Sequence, residues 1–188
     1  MRRIVVSNWV SVDGYFASSD DQIDWVLQDP EVDRATHELM DADTMLLGRK
    51  TYQMFESFWP HVLHAPDVPE EVRTLAREVQ AMTKVVISNE LEEVTWENSR
   101  LIRDNLLEEA RKLKESQGTD IAIFGSGTVV QQLANAGLID EYLIAVTPVV
   151  LGAGKSLFKN VERSSLKLLE TRNFPSGNVL LRYQAQLE

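Results

Sequence analysis

Two hydrophobic periods alternate along this chain, and that alternation restricts the fold more than any other feature. Short runs of β-branched and aliphatic residues at 3–10 (RIVVSNWV), 43–47 (DTMLL), 84–88 (KVVIS), 120–124 (DIAIF) and 139–147 read as buried strands. Helical spacing fills the intervals at about 31–41, 51–58, 70–81, 104–116 and 128–136. Strands that follow one another through helices pair in parallel, because a parallel neighbour is reached only by a crossover. The last quarter differs. Strands at 166–173 and 178–187 are separated only by Phe174-Pro175-Ser176-Gly177, a connection suited to an antiparallel hairpin. The pattern predicts an α/β fold with a mostly parallel sheet and antiparallel strands at the end.

Punctuation refines the elements. Pro30 opens a helix that places Val32, Ala35, Leu39 and Met40 on one face. The helix over Thr51–Phe58 is expected to stop at Pro60, and 60–69, with three of the six prolines, reads as a surface loop. Residues 11–24 read as loop with a turn at Asp13-Gly14, and 92–103 as room for one short strand. Gly137 ends a helix, and "LGAGKSLF" forms a turn after Pro148. No repeat or linker divides the chain, so residues 1–188 are expected to form a single domain.

Bulk properties exclude several classes of function. A net charge of −10 argues against duplex nucleic acid, whose binding rests on lysines and arginines facing phosphates. The chain has no cysteine, which excludes disulfides and thiol catalysis and fits a cytoplasmic protein. No apolar run approaches the roughly 18 residues of a membrane span, and the N-terminal run is too short and polar for a signal peptide. His37, His61 and His64 form no metal-ligand spacing.

Chemistry concentrates at three strand ends. They are Gly48-Arg49-Lys50-Thr51, Ser88-Asn89, and Gly125-Ser126-Gly127-Thr128-Val129. In a parallel sheet such ends share one edge, and ligands bind outside it. The third turn lacks the marks of a dinucleotide fingerprint. Val130 stands where a third glycine belongs, and LIAVT at 143–147 offers no ribose-binding acid. Its glycines still let backbone approach a ligand, with helix N–H groups pointing at it. Thr128 with Gln131 also fits a capping box, which needs no ligand.

Arg49 and Lys50 stand at a helix start, where the dipole disfavours cations. A bound phosphate accounts for them; so does a solvated surface pair. Ser88 and Asn89 supply neutral donors. Trp9, Tyr15, Tyr52, Phe55 and Trp59 could stack on a planar ring or simply pack in the core. Asp13 is the candidate acid of the site or a turn-forming Asp before glycine.

Together these motifs resemble the dihydrofolate reductase fold. They resemble more closely the reductase domain of the bacterial riboflavin-pathway deaminase-reductase, the RibD C-terminal type. The matching stretches are SVDGYFA at 11–17, DTMLLGRKTYQMF at 43–55, KVVIS at 84–88 and IAIFGSGTVVQQLANAGLIDEYLIAVTPVVLGAGKSLF at 121–158.

The resemblance implies a three-layer α/β/α fold and NADPH as hydride donor. It implies that Gly48, Arg49, Lys50 and Thr51 hold the 2′-phosphate and pyrophosphate side. Ser88 and Asn89 would line the adenosine ribose-phosphate, and Gly125, Ser126, Gly127, Thr128 and Val129 the pyrophosphate and nicotinamide. Ala17 would lie over the nicotinamide. Trp9, Ser11, Tyr52, Phe55, Trp59 and Lys155 would meet the substrate, and Asp13 would be catalytic. The implied activity is hydride transfer to a pterin-, pyrimidine- or flavin-like heterocycle by a homodimer. The alternative is a non-catalytic protein that keeps the fold and binds a nucleotide or heterocycle. Dihydrofolate reductases carry an acid on the first helix, where this chain offers Asp33, Glu38 and Asp41. None of the three aligns with that acid, and a solvated helix face is the better explanation of them, so reduction of folate is not supported.

Overall fold

A computed structural model describes residues 1–186. The five predicted parallel strands form as β1 (Ile4–Ser11), β3 (Ala42–Gly48), β4 (Thr83–Ile87), β6 (Asp120–Phe124) and β7 (Glu141–Thr147). A short strand β5 (Ser99–Ile102) occupies the weakly patterned stretch, and β9 (Leu166–Asn173) and β10 (Val179–Ala185) make the hairpin. The expected end of the last strand at 187 lies outside the described residues. These eight strands form one sheet in the order β5-β4-β3-β6-β1-β7-β10-β9. Every pair from β5 to β7 is parallel, and β10 runs antiparallel to both β7 and β9.

Five helices cover the two faces, giving three layers. On one side α1 (Pro30–Leu39), α2 (Arg49–His64) and α3 (Glu70–Ala81) pack through Val32, Ala35, Tyr52 and Val79 onto Val5, Met45, Leu47 and Val86. On the other, α4 (Leu106–Glu115) and α5 (Gly127–Asn135) press Leu106, Ala110, Leu113, Val130 and Leu133 onto Ile4, Val6, Ile121 and Ile123. The central strands are buried on both faces, which is why they read as unbroken apolar runs.

Two elements depart from the sequence expectation. Helix α2 does not stop at Pro60 but continues to His64. Proline removes one helical hydrogen bond, and tertiary contacts outweigh that loss. Val62 is buried, and the Arg73 guanidinium donates to the carbonyls of Leu63 (2.8 Å) and Ala65 (3.0 Å), satisfying the helix end. The stretches read as loop at 11–24 and as turn in LGAGKSLF contain two short strands, β2 (Tyr15–Ala17) and β8 (Lys155–Ser156). They pair with each other in a separate antiparallel ribbon. Neither is long enough to show a period.

The charged residues separate by edge. At the N-terminal ends of the parallel strands Arg3 pairs with Asp120 and Glu141, Arg182 with Glu141, and Lys114 with Asp140. Among the described residues no group of three or more His, Cys, Asp or Glu side chains could hold a metal ion. None of the described helices is long and apolar enough to cross a membrane.

Candidate active site

The opposite, C-terminal edge gathers the sequence motifs. Gly48 ends β3 and Phe124 ends β6, and these strands are neighbours. Their two turns are joined by a short relay: the Gly48 N–H donates to Ser126 Oγ (2.7 Å), which donates to Thr51 Oγ1 (3.0 Å). Ser126 adopts φ 55° and Gly125 φ 57°, a left-handed pair that turns the chain sharply into α5. A side chain at Gly125 would meet Thr51 Oγ1 at 2.9 Å, so the glycine serves the contact between the turns.

The capping box does not form. Ser126, not Thr128, occupies the N-cap, Thr128 is exposed, and Gln131 donates to the carbonyls of Ser156 and Leu157. Helix α5 starts at Gly127, where a Cβ would come within 2.8 Å of the Phe16 ring. The second glycine of the turn thus seats Phe16. Ala17, expected over the site in an open loop, is buried within β2, paired with Lys155.

Helix starts differ in charge. Helices α1, α3 and α4 each carry two acids in the first turn, as the dipole favours. Helices α2 and α5, whose N-termini follow Gly48 and Ser126, carry none. Arg49 and Lys50 occupy the first turn of α2 instead. The first N–H groups of α5, from Gly127 and Thr128, precede its hydrogen-bond ladder. This edge is a place for an anion.

Arg49 reaches across to the next strand end, 3.0 Å from Glu90. There Ser88 Oγ accepts from the Glu90 and Leu91 N–H groups (3.1 Å each) and shapes the loop, while Asn89 is exposed beside it. Lys50 and Lys155 both contact the Asp21 carboxylate: Lys50 meets Oδ2 at 2.6 Å and Lys155 meets Oδ1.

Three expected site residues make hydrogen bonds that hold the fold together. Ser11 is 1% exposed; its Oγ donates to Asp13 Oδ1 (2.6 Å) and accepts from the Tyr15 N–H (3.0 Å). The exposed Asp13 carboxylate also accepts from the N–H groups of Leu151 (3.1 Å) and Gly152 (2.7 Å), binding the SVDG turn to the LGAG turn. The Ser11 hydroxyl, above all, lowers the Asp13 carboxyl below the ordinary aspartate value, so it stays ionised and suits positioning rather than proton donation. Tyr52 is 1% exposed; its hydroxyl donates to Glu56 (2.6 Å) and accepts from the Thr95 and Trp96 N–H groups, pinning that loop from inside the core.

The remaining aromatic residues do meet. Phe55 lies 5.9 Å from Phe124 and 6.2 Å from Trp59, ring centre to ring centre, each ring half-buried. Trp9 is half-buried against the α1 cluster, which shares Phe124 with the α2 cluster. These rings therefore span the junction between α1 and α2 on one face of the sheet. Asp33 stands on α1, and its side chain is exposed. Yet desolvation, then the nearby Asp29 carboxylate, raises its carboxyl above the ordinary value.

Sequence reasoning missed Asn8. It is 6% exposed, points to the same face of β1 as Val6 and Val10, and its Oδ1 has no hydrogen-bond partner among the described residues. It lies one residue beyond the last pair of β1 with β6, Ser7 with Phe124, where the chain turns into Gly125. The signal was an amide inside an apolar strand. Asp21 and Phe16 were also missed, for want of any pattern in their loop.

The chain is 35% identical over 183 residues to YyaP, an uncharacterized protein of Bacillus subtilis (strain 168), covering 97% of this chain and 94% of that one. A solved protein of Shewanella sp. PV-4 that carries a riboflavin-biosynthesis name superposes with a TM-score of 0.75 at 25% identity, covering 98% and 99%. Dihydrofolate reductase from Enterococcus faecalis, complexed with NADP(H), superposes at 0.64 and 13% identity, covering 97% and 96%, and so shares the fold. The model of the RibD C-terminal domain matches residues 2–180, and the chain belongs to that family.

Proposed function

We propose that this protein is an NADPH-dependent reductase that delivers hydride to a C=N or C=O group of a pterin-, pyrimidine- or flavin-like ring. One observation carries the reading: α2 and α5, which open at the site edge, are the two helices that leave the first turn free of acid, and α2 adds two cations. That donor set fits a phosphorylated dinucleotide. Arg49, with Asn89 beside it, would hold the 2′-phosphate side, and the turn from Gly125 to Val129 would face the pyrophosphate. When bound, NADPH supplies the hydride. Asn8 Oδ1, buried and unpartnered, offers an acceptor to an N–H of a bound ring or carboxamide.

The heterocycle would lie at the α1–α2 junction, against Trp9, Phe55 and Trp59. Asp33, on α1, is the carboxyl we assign to protonate the ring; desolvation and the nearby Asp29 raise its pKa above the ordinary aspartate value. Asp13 has the opposite tendency and positions the two turns.

Titration with NADPH, followed by quenching of tryptophan fluorescence, tests the reading; absence of binding at millimolar cofactor would refute it. A panel of oxidised pterins, pyrimidines and flavins, followed by NADPH consumption, separates a reductase from a binding protein. The family resemblance also implies a homodimer. The edge strand β9 supports this, since Leu166, Leu168 and Leu169 are exposed along it. Sedimentation at several concentrations decides the oligomeric state.

A further inference from the structure

Contacts of α1 and α2 with their neighbours fix which side chains each helix presents at the junction between them. On α1, Glu38 pairs with Arg172 of β9 (2.7 Å) and His37 with Glu78 of α3 (3.0 Å). Residues four apart share a helix face. Arg34 therefore lies with Glu38 on the side of the hairpin. Asp33 lies with His37 on the side of α3, which packs in one cluster with α2. On α2, the Tyr52 hydroxyl accepts from the Thr95 and Trp96 N–H groups, whereas Phe55 meets Phe124 at the end of β6. Strand β6 separates β3 from β1, and β4 lies on the far side of β3. The row from Phe55 to Phe58 thus faces β1 and α1, with Met54 one turn before Phe58. Phe58 is 54% exposed and Met54 42%, and the Phe58 ring lies 5.1 Å from that of Trp59.

Cations are missing from the segments that reach this junction. The chain has no Lys or Arg from 4 to 33, from 51 to 72, or from 115 to 154. Those spans hold β1 and the loop into α1, α2 beyond its first turn, and β6 with its turn into α5. Arg49 and Lys50, at the start of α2, are paired with Glu90 and Asp21.

We infer that the heterocycle taken at this junction carries an uncharged aryl or alkyl substituent, with no phosphate or carboxylate, and that the substituent lies along Phe58 and Met54. The inference deepens the reductase reading and rests on its placing of the ring between α1 and α2. Adjoining apolar side chains left in water beside Phe55 and Trp59 form the kind of surface that a ligand covers. An aryl or alkyl group gains by covering an aromatic ring and a thioether. A phosphate or carboxylate would give up hydration there without a compensating partner, and would meet the Asp33 carboxylate instead.

Calorimetry with the intact protein tests this, using matched ligands on pterin, uracil and isoalloxazine rings. One member of each pair bears a benzyl group and the other a phosphonomethyl group at the same position. On the ring that binds best, the benzyl member should bind at least about tenfold tighter. Phe58→Ala should weaken it by roughly five- to tenfold and change the phosphonomethyl member less than about twofold. Phe58→Arg should remove the preference by tightening the phosphonomethyl member. Phe58 is exposed, so both substitutions spare the core. Equal or tighter binding of the phosphonomethyl member would overturn the inference. So would a benzyl affinity unmoved by Phe58→Ala, or failure of all three benzyl members to bind. Self-association that Phe58→Ala abolishes would assign the row to a second copy of the chain and overturn it too. The benzyl preference without NADPH consumption would refute the reductase reading and leave the inference standing. Reduction of both members with equal kcat/KM would do the reverse.

Discussion

Ser126 Oγ accepts the Gly48 N–H at 2.7 Å and thereby ties together two turns 78 residues apart. The two turns carry most of the proposed cofactor contacts, so their spacing depends on one buried hydroxyl. Ser126→Ala leaves the Gly48 N–H without its partner and should cost about 1–3 kcal/mol. Urea unfolding measures that loss, and NADPH affinity should fall with it. Ser126→Gly removes the same hydroxyl but suits the left-handed backbone better, so it should destabilise less than Ser126→Ala.

Arg49 is the group expected to distinguish NADPH from NADH. Arg49→Ala should weaken NADPH by roughly ten- to a hundredfold, the range of a charge-assisted contact, and NADH by less than about twofold. Glu90, 3.0 Å from the guanidinium, competes for it. Glu90→Gln should accordingly tighten NADPH. Equal losses for both cofactors in Arg49→Ala would place the 2′-phosphate elsewhere.

Two aspartates differ in the direction of their titration, and this separates chemistry from scaffolding. The Asp13 carboxyl is lowered, chiefly by the Ser11 hydroxyl. Its contribution to stability is present above the unfolded value of 3.8 and is lost as pH falls through the folded value. Asp33 is raised, so the folded protein pays for its ionisation as pH rises through the folded value. Asp33→Asn should therefore be more stable than wild type at neutral pH, with the gain vanishing below the unfolded 3.8. Its turnover should drop by about a hundredfold or more without loss of NADPH affinity, as for removal of a general acid. Asp13→Asn should keep the pH profile of turnover and lose stability. Thermal unfolding across pH, with steady-state kinetics, checks both.

Lys84 is fully buried, with Nζ 2.6 Å from the Gln80 carbonyl, 3.1 Å from the Glu97 carbonyl and 4.2 Å from the Trp96 ring centre. Burial pushes its ammonium down to about 8 from an ordinary 10.5. The neutral form is favoured on folding, so stability should rise with pH between those values, by up to roughly 3 kcal/mol. Lys84→Met should abolish that rise. Chemical unfolding from pH 7 to 11 reads the difference between the two proteins.

The order of strands and helices was legible in the sequence because each central strand is buried on both faces and each helix on one. Burial writes its period directly into the residues: DIAIF at 120–124 and the hairpin around Phe174-Pro175-Ser176-Gly177 stand where the pattern puts them. The failures were local features decided by distant partners. Pro60 looked like a stop because the Arg73 guanidinium that caps α2 lies 13 residues beyond it, in another helix. Strands β2 and β8 are short and pair only with each other, so neither carries a period.

At the site, the sequence determined which backbone turns meet at the sheet edge, since parallel strands share one C-terminal side. The tertiary structure decided what each side chain does there. Ser11, Asp13 and Tyr52 spend their hydrogen bonds on neighbouring loops, and Lys50 and Lys155 share a carboxylate from a loop with no pattern of its own. Periodicity reports burial, which is a property of one segment. Hydrogen-bond partners, desolvation and charge pairing belong to two segments at once, and only the folded chain brings those together.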